Sequence, residues 1–206
     1  MAQSEYLLQG QGTRREGFVR STKQHIGLAL TGNATARRQH DAYFTPRWCT
    51  EALLDSGILD LRGKRILEPC AGDGRIVDVL SARGLDVTGR DLNDWDRGWG
   101  GHDFREGMTG FDAIVSNPPF NLIDRWLIDA TAAAPVVAVL GRTLLVEGKR
   151  RRTALWEVRP PSHIFQLPHR VNFSPDTVDG KGGAFVLAWF IWDGSGRPTQ
   201  FIWGSE

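Results

Sequence analysis

Cysteine and histidine are scarce in this chain, and each shortage closes off a class of protein. Two cysteines, Cys49 and Cys70, cannot build a disulfide framework. Five scattered histidines offer no ligand spacing for zinc, so no metal is expected. No apolar run reaches the length of a membrane span, and the first residues lack the basic-then-apolar order of a secretory leader. The expectation is a soluble, cytoplasmic protein. An excess of one charge is also missing. With 25 Lys and Arg against 24 Asp and Glu, the net charge of +1 does not by itself argue for a nucleic-acid partner. No internal repeat or low-complexity tract is present.

What the chain does have is apolar content and a rhythm. At 206 residues and 41% hydrophobic content it can bury one substantial core, so a single domain over 41–206 behind a basic arm over 1–40 is expected. Within that arm Arg14, Arg15, Arg20, Lys23, Arg37 and Arg38 face only Glu5 and Glu16, and no sustained period organises it, which suggests a flexible or partner-ordered segment. A second basic cluster, Lys149-Arg150-Arg151-Arg152, either meets phosphates of a substrate or is a solvated face.

From Asp41 the pattern predicts alternating elements. A helix over Arg47–Ser56 starts with Thr45 as cap and Pro46 in its first turn. Strands follow at 65–68, 86–89, 112–115 and 136–140, with helices at 75–83 and 122–133 between them. This alternation predicts an α/β fold with a mainly parallel sheet and helices on both faces. Two late strands, 162–167 and 184–192, are joined by the turn-rich stretch 174–183 and suggest an antiparallel pair at the C-terminal edge. Trp189 and Trp192, at odd spacing, face opposite sides of the sheet as core and edge.

Glu68-Pro69-Cys70-Ala71-Gly72-Asp73-Gly74 follows a strand and opens a helix, where open parallel sheets bind ligands. Glu68 ends one strand and Asp91 the next. A carboxylate at the first position suits a cation, and one at the second can accept both hydroxyls of a ribose. S-Adenosylmethionine carries an ammonium, a sulfonium and a ribose but no phosphate, and it matches this pair. Val77 stands where a dinucleotide-binding turn needs its third glycine. His102-Asp103-Phe104 falls where a third strand should end. There Asp103 could accept from the adenine amine of the cofactor while Phe104 packs on its ring, or Asp103 is only a cap beside a core Phe.

Asn117-Pro118-Pro119-Phe120 comes directly after the apolar strand Phe111–Ser116. Two prolines cannot continue a central strand, so they form a stiff elbow at its carboxyl end. An aryl amine is a poor nucleophile because its lone pair is delocalised. The Asn117 side-chain oxygen and the Pro118 carbonyl can each accept one of its N–H groups, favouring a more tetrahedral nitrogen aligned for in-line attack on a methyl. Phe120 would stack on the flat substrate. Arg170-Val171-Asn172-Phe173 is the candidate opposite wall, with Phe173 as a second stacking ring or as core. The loop 174–183, containing Gly180, Lys181, Gly182 and Gly183, could touch the nucleic-acid backbone or be a plain hairpin. Pro69-Cys70 superficially fits a cysteine nucleophile for cytosine C5, but it lies in the glycine turn and is assigned to packing.

Tyr43-Phe44-Thr45-Pro46, the Glu68–Gly74 turn, Asp91, Asp103-Phe104 and Asn117–Phe120 together resemble the N6-adenine DNA methyltransferase family, in its gamma order. The likeness spans 41–193. It implies a class I methyltransferase (Rossmann-like) fold, S-adenosylmethionine as cofactor and DNA as partner. The cofactor set it implies is Tyr43, Phe44, Thr45, Pro46, Glu68, Cys70, Ala71, Gly72, Gly74, Asp91, Leu92, Asp103, Phe104 and Asn117. Catalysis falls to Asn117, Pro118, Pro119 and Phe120, and substrate contacts to Phe120, Arg170, Phe173 and Lys149 to Arg152. Members of this order usually carry a recognition domain after the catalytic half, whereas only residues 121–206 follow Phe120 here. That compactness resembles small phage-encoded adenine methyltransferases. An adenine in a duplex would have to be flipped out or already be single-stranded. Rival readings are an RNA or protein-glutamine amine as acceptor, and a non-catalytic DNA-binding subunit. A homodimer is compatible with the sequence and demanded by nothing in it.

Overall fold

The computed structural model describes residues 43–173 and 180–205. The basic arm expected over 1–40 and positions 174–179 of the glycine-rich loop lie outside them.

Six of the seven strands, and the helices between them, follow the predicted alternation. In chain order these are α1 (Arg47–Asp55), β1 (Arg65–Glu68), α2 (Arg75–Ala82), β2 (Asp86–Gly89), β3 (Ala113–Ser116), α3 (Ile123–Ala133) and β4 (Val136–Arg142). A short α4 (Lys149–Arg151) runs into a π turn over Arg152–Trp156, and β5 (His163–Gln166), β6 (Leu187–Trp192) and β7 (Gln200–Trp203) complete the chain. They form one sheet in the order β2-β1-β3-β4-β6-β5-β7. The first four are mutually parallel, β6 is antiparallel to both β4 and β5, and β7 is parallel to β5.

Burial explains which strands sit where. β3 and β6 are buried at every position, as strands covered on both faces must be, and their sequences AIVS and LAWFIW are correspondingly apolar. β2 and β7 alternate or are exposed and occupy the edges. One face packs Ile66, Val115 and Trp189 against Cys49 and Leu53 of α1 and Ile76 and Leu80 of α2. The other packs Ile114, Val139 and Phe190 against Trp126, Leu127 and Ala130 of α3. Trp189 and Trp192 fall on opposite faces as expected, and Trp189 Nε1 donates to the Cys49 carbonyl at 2.8 Å, tying β6 to α1.

Two features differ from expectation. No strand ends at Asp103: its carboxylate accepts from Arg105 N and caps a 3₁₀ turn over Phe104–Glu106, so a local side-chain bond replaces a ladder. The antiparallel pair β5–β6 exists but does not form the rim. β6 inserts next to β4, and β7, too short and polar at its start to stand out in the sequence, closes the edge instead. Because β6 alone runs against the others, the carboxyl ends of β1, β2, β3, β4, β5 and β7 all open on one side of the molecule.

Candidate active site

Glu68 and Ser116 end neighbouring strands and fix the floor of that side. Glu68 is fully buried, and its Oε1 accepts from Cys70 N at 3.0 Å and from Ser116 Oγ at 2.6 Å. Its Oε2 is buried and has no partner. Burial pushes the Glu68 carboxyl up to about 8, against the pull of those two bonds. The bond to Ser116 joins the ends of β1 and β3 and so sets where Asn117 begins.

The glycine turn departs from β1 with Gly72 at φ 54° and Gly74 at φ 90°, a backbone that side chains with a Cβ rarely adopt. Both are also overlaid by rings. A Cβ on Gly72 would lie 3.1 Å from Phe44, and one on Gly74 2.6 Å from Trp99. Ala71 is buried and Cys70 half-buried. Burial raises the Cys70 thiol well above its ordinary value, which leaves it as packing and not as a nucleophile.

Asp91 follows β2 at the carboxyl edge, beside the glycine turn. Its Oδ2 accepts from Gly72 N at 2.9 Å, and its Oδ1 from Asn93 N at 2.9 Å and Trp95 Nε1 at 3.1 Å. Neighbouring Leu92 is 62% exposed, an apolar side chain free to meet a flat ligand. Asp103 lines a small pocket of about 160 Å³ with Pro69, His102 and Phe104, but its carboxylate is engaged by the Arg105 guanidinium. The capping account of Asp103 is therefore the one the geometry matches.

At the elbow, the Asn117 amide is held on one side only. Nδ2 donates to the Tyr43 carbonyl at 2.9 Å and to Thr45 Oγ1 at 3.0 Å. A carbonyl only accepts, so the amide cannot be flipped, and Oδ1 must point the other way. That oxygen is buried without a partner. Thr45 is thus not the helix cap expected. Pro46 holds that position with no side-chain bond, and the Thr45 hydroxyl serves Asn117 instead. The Pro119 carbonyl accepts from Leu122 N at 3.0 Å, closing the elbow into α3.

Phe120 does not present an open face. Tyr43 stacks on it at 5.3 Å, Phe173 meets it edge-on at 6.3 Å, and Phe185 lies 6.4 Å away. Phe173 is 5% exposed and belongs to the core of this cluster, so it is not a free second stacking wall. Over the same rings lies a residue the sequence reading missed. The Arg142 guanidinium is 5.3 Å from the Phe120 centroid and 4.8 Å from that of Phe185, and its Nε is buried and unpartnered. The signal was available: Arg142 ends the apolar strand β4 as Glu68 ends β1.

The remaining expected contacts separate. Arg170 is exposed beyond β5, and Gly180 and Lys181 return to Asn172 and Val171 through backbone pairing. Of the basic run, Arg151 bonds Asp124 at 2.6 Å and the Leu145 and Glu147 carbonyls, while Arg152 bonds Glu157 at 2.9 Å. Lys149 and Arg150 are exposed, with no ion pair among the described residues. Among those residues no His, Cys, Asp and Glu cluster could hold a metal, and no helix is long and apolar enough to cross a membrane.

Solved structures share this architecture. A protein proposed to be an RNA methyltransferase from Pyrococcus horikoshii superposes with a TM-score of 0.58 at 17% identity, covering 83% of this chain and 97% of its own. A modification subunit of a proposed type I restriction enzyme from Vibrio vulnificus gives 0.53 at 15% identity over 88% of this chain. The match covers 50% of that subunit, so the chain spans half its length. A protein proposed to be a class I S-adenosylmethionine-dependent methyltransferase from Listeria monocytogenes gives 0.53 at 13% identity, covering 88% and 71%. No protein-family model and no curated protein sequence matches the chain. At these identities the likeness is one of fold: the chain has the class I methyltransferase fold.

Proposed function

We propose that this protein is an S-adenosylmethionine-dependent methyltransferase acting on the exocyclic N6 amine of adenine in DNA. The observation that carries the reading is the Asn117 side-chain oxygen, buried, unpartnered and locked in direction by Tyr43 and Thr45. Leaving a buried acceptor unmade costs about 1–3 kcal/mol, a cost that an N–H donor from a ligand removes. An aryl amine has two such donors, and the Pro118 carbonyl beside Asn117 accepts the second.

The cofactor fits the residues opposite. S-Adenosylmethionine supplies a methyl made electrophilic by its sulfonium. Glu68, with its buried orphan Oε2, would release the proton it holds in the free protein and balance the positive charge of the cofactor as a carboxylate. Asp91 would take the ribose hydroxyls in exchange for its bond from Trp95, and the exposed Leu92 would lie against the adenine. Entry of a target base beside Phe120 requires Tyr43 to move off that ring, which only the chain's own packing holds there.

The class I fold supports methyl transfer; the modification-subunit neighbour points toward DNA and the Pyrococcus horikoshii neighbour toward RNA. The elbow itself would serve an adenine in RNA equally. The deciding experiment incubates the protein with labelled S-adenosylmethionine and unmethylated plasmid DNA or transcribed RNA, then analyses the nucleosides by mass spectrometry. N6-methyladenine from DNA is expected. Label in RNA alone would move the substrate, and failure to bind the cofactor in calorimetry would sink the enzymatic reading.

A further inference from the structure

The carboxyl side of the sheet carries a second recess that the elbow and the glycine turn do not use. It is an open cleft of about 580 Å³ between the turn after β4, the segment after β5, and β7. Ile164 and Gln166 of β5 pair with Phe201 and Trp203 of β7, and their spacing of two puts all four on one face of the sheet. The two aromatic rings meet edge to face at 4.8 Å, yet Trp203 is 75% and Phe201 48% exposed. Bare rings on an edge strand are a costly arrangement unless something covers them. His169 and the exposed Arg170 also line the cleft, and among the described residues no carboxylate does.

The cleft and the elbow both lie at the carboxyl edge of the sheet. Thr143 lines the cleft, and the preceding residue is Arg142, whose guanidinium lies over Phe120. β3, β4, β5 and β7 point the same way, so Asn117, Arg142, Arg170 and Trp203 come out along one edge. Four strand spacings of about 4.8 Å separate β3 from β7, roughly 19 Å.

We propose that this cleft holds the single-stranded nucleic acid flanking the target base. Phe201 and Trp203 are its stacking platform, and Arg170 meets the backbone phosphates. The assignment rests on the nucleic-acid reading of the elbow and adds to it the path of the strand. Stacking on exposed rings is tolerant of sequence, because every base has a π face. Such a track holds a strand without a separate recognition domain. Cationic side chains without acidic ones suit a polyanion, and the exposed ring pair suits one that carries flat bases.

The test compares the full chain with the Phe201→Ala/Trp203→Ala double variant and with Trp203→Ala alone. Binding of a labelled adenine-containing DNA trimer and a 12-mer, both single-stranded, is followed by fluorescence anisotropy at one salt concentration. Wild type should bind the 12-mer much more tightly than the trimer. The double variant should lose at least about tenfold on the 12-mer, and the single variant a smaller part of it. Trimer binding and calorimetric cofactor binding should stay unchanged. Both positions are exposed, so the fold is retained, which far-UV circular dichroism checks. Wild-type binding of the 12-mer that the double variant matches would overturn the track while leaving the elbow assignment intact. A wild type that neither binds nor methylates any oligonucleotide would instead overturn the substrate reading, and the track with it. Loss of a dimer in sedimentation, with 12-mer affinity unaltered, would give the cleft to a second copy and refute the proposal.

Discussion

Asn117 joins two parts of the chain that only folding brings together, and that bond makes its chemistry directional. Its amide nitrogen reaches Tyr43 and Thr45, both more than seventy positions earlier, and this alone aims Oδ1 at the place where an amine would sit. Asn117→Ala is expected to lower the methylation rate by about 10²–10³, the scale on which loss of one oriented polar group acts, with cofactor affinity nearly unchanged. Asn117→Asp should not rescue it. A carboxylate oxygen would face the Tyr43 carbonyl, and the side chain could no longer donate there. Turnover of either variant at the wild-type rate would refute the role. Glu68 makes a different kind of statement, about pH. Its folded value, raised from 4.5 to about 8, means that between those limits the folded chain holds a proton that the unfolded chain has released. The stability it contributes is full below pH 4.5 and is lost as pH rises through 8, by on the order of a few kcal/mol. Urea midpoints measured at pH 5 and pH 8 should therefore fall in wild type and stay level in Glu68→Gln, which keeps an acceptor for Cys70 N. Equal behaviour of the two proteins would mean that Glu68 is ionised throughout.

Between β2 and β3 the expected third strand is replaced by a segment that folds back onto the glycine turn. Trp95 donates to Asp91, Trp99 lies over Gly74 and Gly89 and donates to the Gly72 carbonyl, and Arg97 spans from the Trp99 ring to Asp78. These contacts occupy the carboxylate that a ribose would use, so the segment competes with the proposed cofactor. Trp95→Phe keeps a ring beside Phe44 but removes the indole donor. Dissociation constants from calorimetry should show S-adenosylmethionine binding about two- to tenfold more tightly, the worth of one released hydrogen bond. Weaker binding would instead make Trp95 part of the wall that holds the cofactor. The sequence could not announce this segment. Its Asp, Asn and Gly residues carry no period, and its order comes from bonds to a turn that lies some twenty positions earlier. Glu68, Asp91 and Asn117 were legible because each ends or closely follows a short strand, a local signal. Their partners Ser116 and Thr45, the closed face of Phe120 and the cation of Arg142 were not, since each depends on which strand ends meet. β7 was missed for a related reason: four residues become a strand only because β5 offers them an edge.

Across the whole molecule, a net charge of +1 hides an uneven distribution, and the structure divides the basic run into two kinds of residue. Arg151 is a structural tie, bonded to Asp124 on α3 and to two carbonyls that close the turn after β4. Arg152 is paired with Glu157, and an exposed pair of this sort is worth little to stability. Lys149 and Arg150 remain exposed, a few residues beyond Val146, which lines the cleft at the carboxyl edge. If nucleic acid runs along that edge, these two are placed to neutralise phosphate and their neighbours are not. Lys149→Gln/Arg150→Gln should reduce the slope of log affinity against log salt by about 0.7 for each phosphate of a single strand that is no longer neutralised, with the thermal midpoint unchanged. Arg151→Gln should do the reverse, lowering the thermal midpoint because Asp124 and the two carbonyls are deprived of their donor, with little effect on the slope. Salt titrations of oligonucleotide binding and melting curves on both variants separate the two roles. A slope unaltered by the double substitution would return Lys149 and Arg150 to the status of a solvated surface, and would confine the grip on substrate to the elbow and the aromatic edge.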